Sequence, residues 1–177
     1  MKKRNPKEMP LMDKEELLSA LNILEKTRDR ALVSSLYLTG ARISEIVRKL
    51  RKNQIKIRGK FLIVEGVPIL KRREKEFLKR NIPINMEKER PFVNIFLRWY
   101  ESCPTPILFN ISRIHAWRII NKVGLFPHYL RHLRLSHLVT EYGFNSSELR
   151  HFTGWKEETT ASWYVHLRTE DLMRKME

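Results

Sequence analysis

The sequence predicts a mainly α-helical fold carrying one small antiparallel three-stranded β-sheet on its side. Three observations lead there: leucines at helical spacing near the N-terminus, a β-branched stretch IKIRGKFLIVEGVPIL in the middle, and helical periodicity again from Lys88 onward. With 177 residues and 42% hydrophobic side chains the chain can bury one real core. Residues 1–177 are therefore read as a single domain.

Asp13 and Glu16 form a capping box, and Leu17, Leu18, Leu21 and Leu24 then recur on one face, so a first helix is expected over about 13–26. Asp29 to Leu38 reads as a second, largely buried helix that Thr39 and Gly40 interrupt. Arg42 then stands at the start of a third helix near 42–50, with Ile43, Ile46, Val47 and Leu50 inward. Its guanidinium would be held by rigid backbone rather than by a loop. Strands are expected near 54–58, 61–70 and 77–84, with Gly59 and Gly66 as breakers and KRREKE as a charged hairpin. Pro83 limits the last strand to an edge or to its end. Helices follow at roughly 88–101, 112–123, 128–142, 146–152 and 157–164, with a short tail from about 170 to 175. Gly124 and Pro127 separate the second and third of these, and Gly143 ends the third.

Thirty-five Lys plus Arg against twenty Asp plus Glu give a net charge of +15 and a pI near 10.2, which makes a polyanion the first partner to consider. No apolar run approaches the roughly 18 residues needed to cross a bilayer. MKKRNPKEMP lacks the apolar stretch of a secretory signal, so a cytoplasmic location is expected. A lone Cys103 allows no internal disulfide and no cysteine-built zinc site, and reads as an inert structural thiol. HExxH, clustered carboxylates and GxxxxGK[ST] are all missing from the sequence, so no metal or other cofactor is expected.

A late phenol, Tyr164, preceded by Arg42 in TGARISE and by His128 and Arg131 in HYLRH, points to chemistry on a phosphodiester. The inference requires that folding bring the two guanidiniums together. Simpler readings compete with it. Arg42 has an i,i+3 ion-pair partner in Glu45, and Tyr164 adjoins a second aromatic, Trp163. Neighbours on a helix point about 100° apart, so both aromatics cannot face inward, and Trp163 is the better core candidate.

TGARISEI, HYLRHLRLSHLVTEYG and GWKEETTASWYVHL stand in this order between DKEELLSAL and the segment after Tyr164. In them the chain resembles the catalytic domain of the tyrosine recombinases, the phage-integrase and Xer-like family. The resemblance implies that fold, with Arg42 and Arg131 as phosphate clamps, Tyr164 as nucleophile and His128 as the acid/base group. A pentacoordinate phosphorane bears extra charge on its nonbridging oxygens, which planar guanidiniums can pair bidentately. Trp155 occupies a position where most members carry histidine and some carry tryptophan. An indole N–H can only donate, so Trp155 either bonds a phosphate oxygen or packs.

The family's leaving-group acid is a hairpin lysine, and this hairpin offers several cations without the usual glycine-lysine-glycine signature. Lys71, where the second strand runs into the turn, is the first choice, Lys75 the second and Lys60 the third. Arg72, Arg73, Lys75 and Lys79 are expected to contact DNA, and all the hairpin cations have that simpler role open to them. The implied reaction is cleavage and rejoining of double-stranded DNA through a 3′-phosphotyrosyl ester without ATP or metal. Type IB-like topoisomerase activity and a non-cutting DNA-binding module are the competing readings. The tail 165–177, with Leu172, Met173 and Met176 on one face, is expected to dock on a neighbouring subunit, as in the family, within a tetrameric synapse. Only about a dozen residues precede the first helix, so the family's separate DNA-clamping domain is expected to be absent, which leaves three readings: a fragment, a naturally minimal enzyme, or the helper of a full-length recombinase partner.

Overall fold

The computed structural model describes residues 5, 6, 9–70, 78–156, 160–165, 173 and 176. Helix α1 (Lys14–Leu21) opens on the capping box: Asp13 accepts from the Glu16 N–H and Glu16 from the Asp13 N–H, each at 2.8 Å. It is shorter than expected because Leu24 reaches the core from a turn. Helix α2 (Thr27–Thr39) is buried from Ala31 to Thr39, with later helices packed against it. Gly40 ends α2 in the left-handed conformation, φ 58°, which only glycine adopts without cost.

Helix α3 (Ile43–Ile46) corrects the expected span of about 42–50. The chain after Ile46 is captured by a distant segment: the Arg48 N–H donates to the Phe109 carbonyl and the Leu108 N–H to the Leu50 carbonyl, both at 2.9 Å. Arg48 takes up a positive φ of 61° to make that turn. Val47 and Leu50 are still buried, but from a turn rather than a helix.

Strands β1 (Ile55–Arg58), β2 (Phe61–Pro68) and β3 (Lys79–Asn85) form an antiparallel sheet in the order β1-β2-β3. Leu62, Val64, Val67, Ile82 and Ile84 line its buried face at the alternating positions a half-buried sheet demands. Pro83 lies opposite Ile63 on the edge strand β3, where a missing N–H breaks no ladder bond on the free side. Gly66 sits in a bulge between Val64 and Val67, at φ 64°, and its N–H donates to Asn81 Oδ1 at 2.9 Å. The KRREKE hairpin expected between β2 and β3 lies outside the described residues.

Helices α4 (Arg90–Ser102), α5 (Arg113–Lys122), α6 (Pro127–Tyr142) and α7 (Ser146–Thr153) complete the body, and residues 160–165 are helical. Both α4 and α6 border α2. Cys103 is buried against the carbonyls of Thr105 and Ile107, as a structural thiol should be. Beyond residue 165 only Met173 and Met176 of the expected tail are described, both helical and exposed.

Helix α7 ends at Gly154, φ 72°, and a Cβ built there would fall well inside van der Waals contact with Ile69. Gly154→Ala therefore combines left-handed strain with a clash between the closing segment and the end of β2. It is expected to destabilise the fold by roughly 1–3 kcal/mol, read as a lower urea midpoint. An unchanged midpoint would show that this close approach is not a constraint.

Candidate active site

The site is built outward from the end of α2. The turn at Gly40 reverses the chain so that Arg42 becomes the N-cap of α3, one residue ahead of its first turn. The Arg42 N–H donates to Glu45 Oε2 at 2.9 Å and its Nη1 to Glu45 Oε1 at 3.2 Å, so the expected i,i+3 ion pair exists. Its partner, however, is buried. Arg80 on β3 donates to Glu45 Oε2 at 3.0 Å and to the Pro68 carbonyl at 3.2 Å. Burial pushes the Glu45 carboxyl up, but the Arg80 charge and the Arg42 N–H outweigh it and hold the group below its ordinary value. Glu45 thus stays ionised and fixes Arg42 on one side and the sheet edge on the other.

Helix α6 supplies the opposite wall. Pro127 occupies its first turn, where a missing N–H costs nothing, and His128 and Arg131 follow three positions apart on one face. Arg131 is buried; its Nη1 donates to the Gly40 carbonyl, while its Nη2 is buried with no hydrogen-bond partner. Burial, then the charge of Arg42, pushes Arg131 down to about 9. It is still a cation at neutral pH, and an incoming anion would relieve both penalties.

Arg42, His128 and Arg131 line one cavity of about 490 Å³, together with Arg113, Ile114 and Trp117 of α5. The cavity satisfies the requirement that the two guanidiniums meet. Arg113 is a further cation at this site that the sequence reading did not single out.

Trp155 and Tyr164 close the far side of Arg131. The Arg131 guanidinium lies 5.2 Å from the Trp155 ring centroid, and the Trp155 and Tyr164 rings stack at 6.0 Å and 28°. Tyr164 is only 6% exposed and Trp163 only partly buried, which corrects the expectation that Trp163 would be the core member of the pair. The reason lies in the packing: Tyr164 fills the space between Trp155 and His132, and Trp163 lies edge-on to it at 5.0 Å. The Tyr164 hydroxyl is 3.2 Å from His132 Nδ1. Burial pushes the phenol up to about 12 against the pull of Arg131, so it carries its proton at neutral pH.

Of the ten expected site residues, Arg42, His128 and Arg131 share the cavity, and Trp155 and Tyr164 adjoin it through Arg131. Lys71, Arg72, Arg73 and Lys75 lie outside the described residues. Lys79 is exposed at the start of β3, in a separate groove with Arg48, Lys49 and Arg51. Lys60, the third choice for the acid, lines another depression, near Met86 and Arg90. Arg80 and His132 were not singled out from the sequence, and Glu45 only as the i,i+3 partner of Arg42. Nothing local marked Arg80 or His132, because β3 and α6 both carry several other polar and charged residues.

The model of the phage integrase family matches residues 10–171. Among curated relatives, a tyrosine recombinase of Thermosipho africanus is 28% identical over 158 residues, covering 88% of this chain and 55% of that protein. The tyrosine recombinase XerD of Proteus mirabilis is 29% identical over 182 residues, covering 96% of this chain and 58% of that protein. This chain thus spans somewhat over half the length of the curated relatives it matches. Among solved structures, XerA recombinase superposes with a TM-score of 0.64 at 22% identity, covering 99% of this chain and 65% of that one. XerH site-specific recombinase bound to its difH substrate gives 0.65 at 19% identity, with 96% and 54% covered. These likenesses show a tyrosine recombinase catalytic-domain fold, and, with the family model matched over most of its length, the chain belongs to the phage integrase family.

Proposed function

We propose that this chain cleaves and rejoins double-stranded DNA as a site-specific tyrosine recombinase. The observation that carries the reading is the single cavity shared by Arg42, His128 and Arg131, with Tyr164 joined to Arg131 through Trp155. The two arginines pair the nonbridging oxygens of the scissile phosphate, and His128 exchanges a hydrogen bond or proton at the same group. Tyr164 Oη forms a bond to phosphorus as the bond to the 5′ oxygen breaks, and Lys71 protonates that oxygen. The phosphotyrosine ester conserves the energy of the broken bond, so a 5′ hydroxyl can reverse the step without ATP or metal. Arg72, Arg73, Lys75 and Lys79 track the backbone on either side. The work is cytoplasmic.

The test is incubation with a nicked suicide substrate that traps the cleaved strand, followed by peptide mapping of the product. The expected result is a protease-sensitive covalent complex with the nucleotide on residue 164. Lack of any complex would favour a non-cutting DNA-binding module. Relaxed topoisomers without recombinants would favour the type IB-like reading.

We also propose that the tail docks on a neighbouring subunit in a DNA-bound tetramer. Met173 and Met176 are exposed, and a short helix cannot bury such a face on itself. Deletion of residues 169–177 is expected to abolish synapsis of two sites. Unchanged synapsis and strand exchange would reject the idea.

A further inference from the structure

We infer that His132 takes the phenolic proton of Tyr164 in the cleavage step, an assignment that rests on Tyr164 being the nucleophile. Its Nδ1 lies 3.2 Å from the Tyr164 oxygen, and the two side chains are 4% and 6% exposed. Bulk water is thus a poor acceptor for this proton. His128, one turn earlier in α6, is exposed on the cavity wall and suits the phosphate rather than the docked phenol. Arg131 and His132 are consecutive on a rigid helix, so their side chains diverge by about 100°. One addresses the cavity and the other the closing helix. Aromatic rings that pack on His132 include Tyr129 from its own helix, at 6.3 Å between rings, and Trp163 and Tyr164 from the closing helix, at 5.5 Å each. Arg131 adjoins it in the chain, and its charge favours a developing phenolate. A phenol raised to about 12 has almost no phenolate at neutral pH, so attack needs an acceptor already within hydrogen-bond reach.

His132 starts neutral with its proton on Nε2, and Nδ1 receives the proton from Tyr164 Oη as Oη bonds to phosphorus. The bond from phosphorus to the 5′ oxygen breaks, leaving its electron pair on that oxygen, which the hairpin lysine protonates. On religation the imidazolium returns its proton to the departing phenol.

The experiment is the pH dependence of single-turnover covalent-complex formation by wild type and His132→Asn, on an ordinary suicide substrate and on one with sulfur replacing the scissile 5′ oxygen. Sulfur leaves without protonation, so it rescues loss of an acid but not loss of a base at the nucleophile. His132→Asn is expected to be slower by about 10²–10⁴-fold, with no rescue by sulfur and a rate still rising with pH where the wild type levels off. A rate within about threefold of wild type, or full rescue by sulfur, would overturn the assignment. A second measurement does not require the variant to fold: nitrogen-15 spectra of labelled histidines in the unaltered protein and in Tyr164→Phe. His132 should be the Nε2–H tautomer, with an Nδ1 signal that moves when the hydroxyl is removed, and an Nδ1–H tautomer would overturn the proposal. A wild type that forms no complex sinks the functional reading and this assignment together, whereas a normal wild type with an unimpaired His132→Asn sinks this assignment alone.

Discussion

Tyr164→Phe is expected to form no covalent complex with DNA while folding and binding DNA as the wild type does. The phenyl ring retains the stack on Trp155 and the edge contact with Trp163. Only the hydrogen bond to His132 is lost, a change of about 0.5–1.5 kcal/mol in stability. The effect should therefore fall on chemistry, as a loss of more than about 10³-fold on a denaturing gel. Stability against pH supplies an independent signature. Burial, opposed by Arg131, raises the folded-state phenol from 10.0 to about 12. A group raised on folding stabilises fully below its unfolded value, and that contribution is lost as pH rises through the folded one. Wild type should lose this part of its stability between about pH 10 and 12, and the phenylalanine variant should not. A residual covalent complex of normal amount would remove Tyr164 from the nucleophile's role.

The largest loss of stability is expected at Glu89, which lies beneath the site and outside its chemistry. Its fully buried Oε1 accepts from Arg134 Nη1 at 2.6 Å, Tyr142 Oη at 2.7 Å and Lys14 Nζ at 3.1 Å, tying α1 and the segment before α4 to α6. Burial pushes the Glu89 carboxyl up, but the Arg134 charge and these hydrogen bonds reverse the sign and hold it below its ordinary value. Glu89→Ala leaves Arg134 as an unpaired cation in the core, which costs about 3–5 kcal/mol. Urea denaturation measures the loss. Replacing both partners by apolar residues of similar volume, Glu89→Leu with Arg134→Met, is expected to recover part of it. Because the carboxyl is depressed on folding, its contribution is present above the ordinary carboxylate value and lost as pH falls through the folded one. A Glu89→Ala variant as stable as wild type would show that this network contributes little.

Features that depend on neighbouring residues were legible before folding. The Asp13–Glu16 capping box, the stop at Gly40 and the edge position of Pro83 each follow from the chemistry of a few consecutive residues. Features that depend on distant partners were not. The expected third helix was too long because capture of Arg48 by the Phe109 carbonyl is a contact between segments far apart in the chain. Adjacency showed that Trp163 and Tyr164 could not both face inward, but the choice of Trp163 was wrong, since His132 and Trp155 select Tyr164. His132 had no sign of its own beside Arg131, because α6 carries many polar residues and which of them are buried depends on packing.

The sequence alone determined the helical class with its small sheet and the basic character of the chain, and its resemblance to a family named the groups expected to act on a phosphodiester. The first two rest on composition and periodicity, which need no partner to be read. Only the tertiary structure decided which cations converge, which carboxylate holds Arg42 and which imidazole lies against the phenol. Those outcomes depend on burial and on distances of a few ångströms between residues remote in the chain.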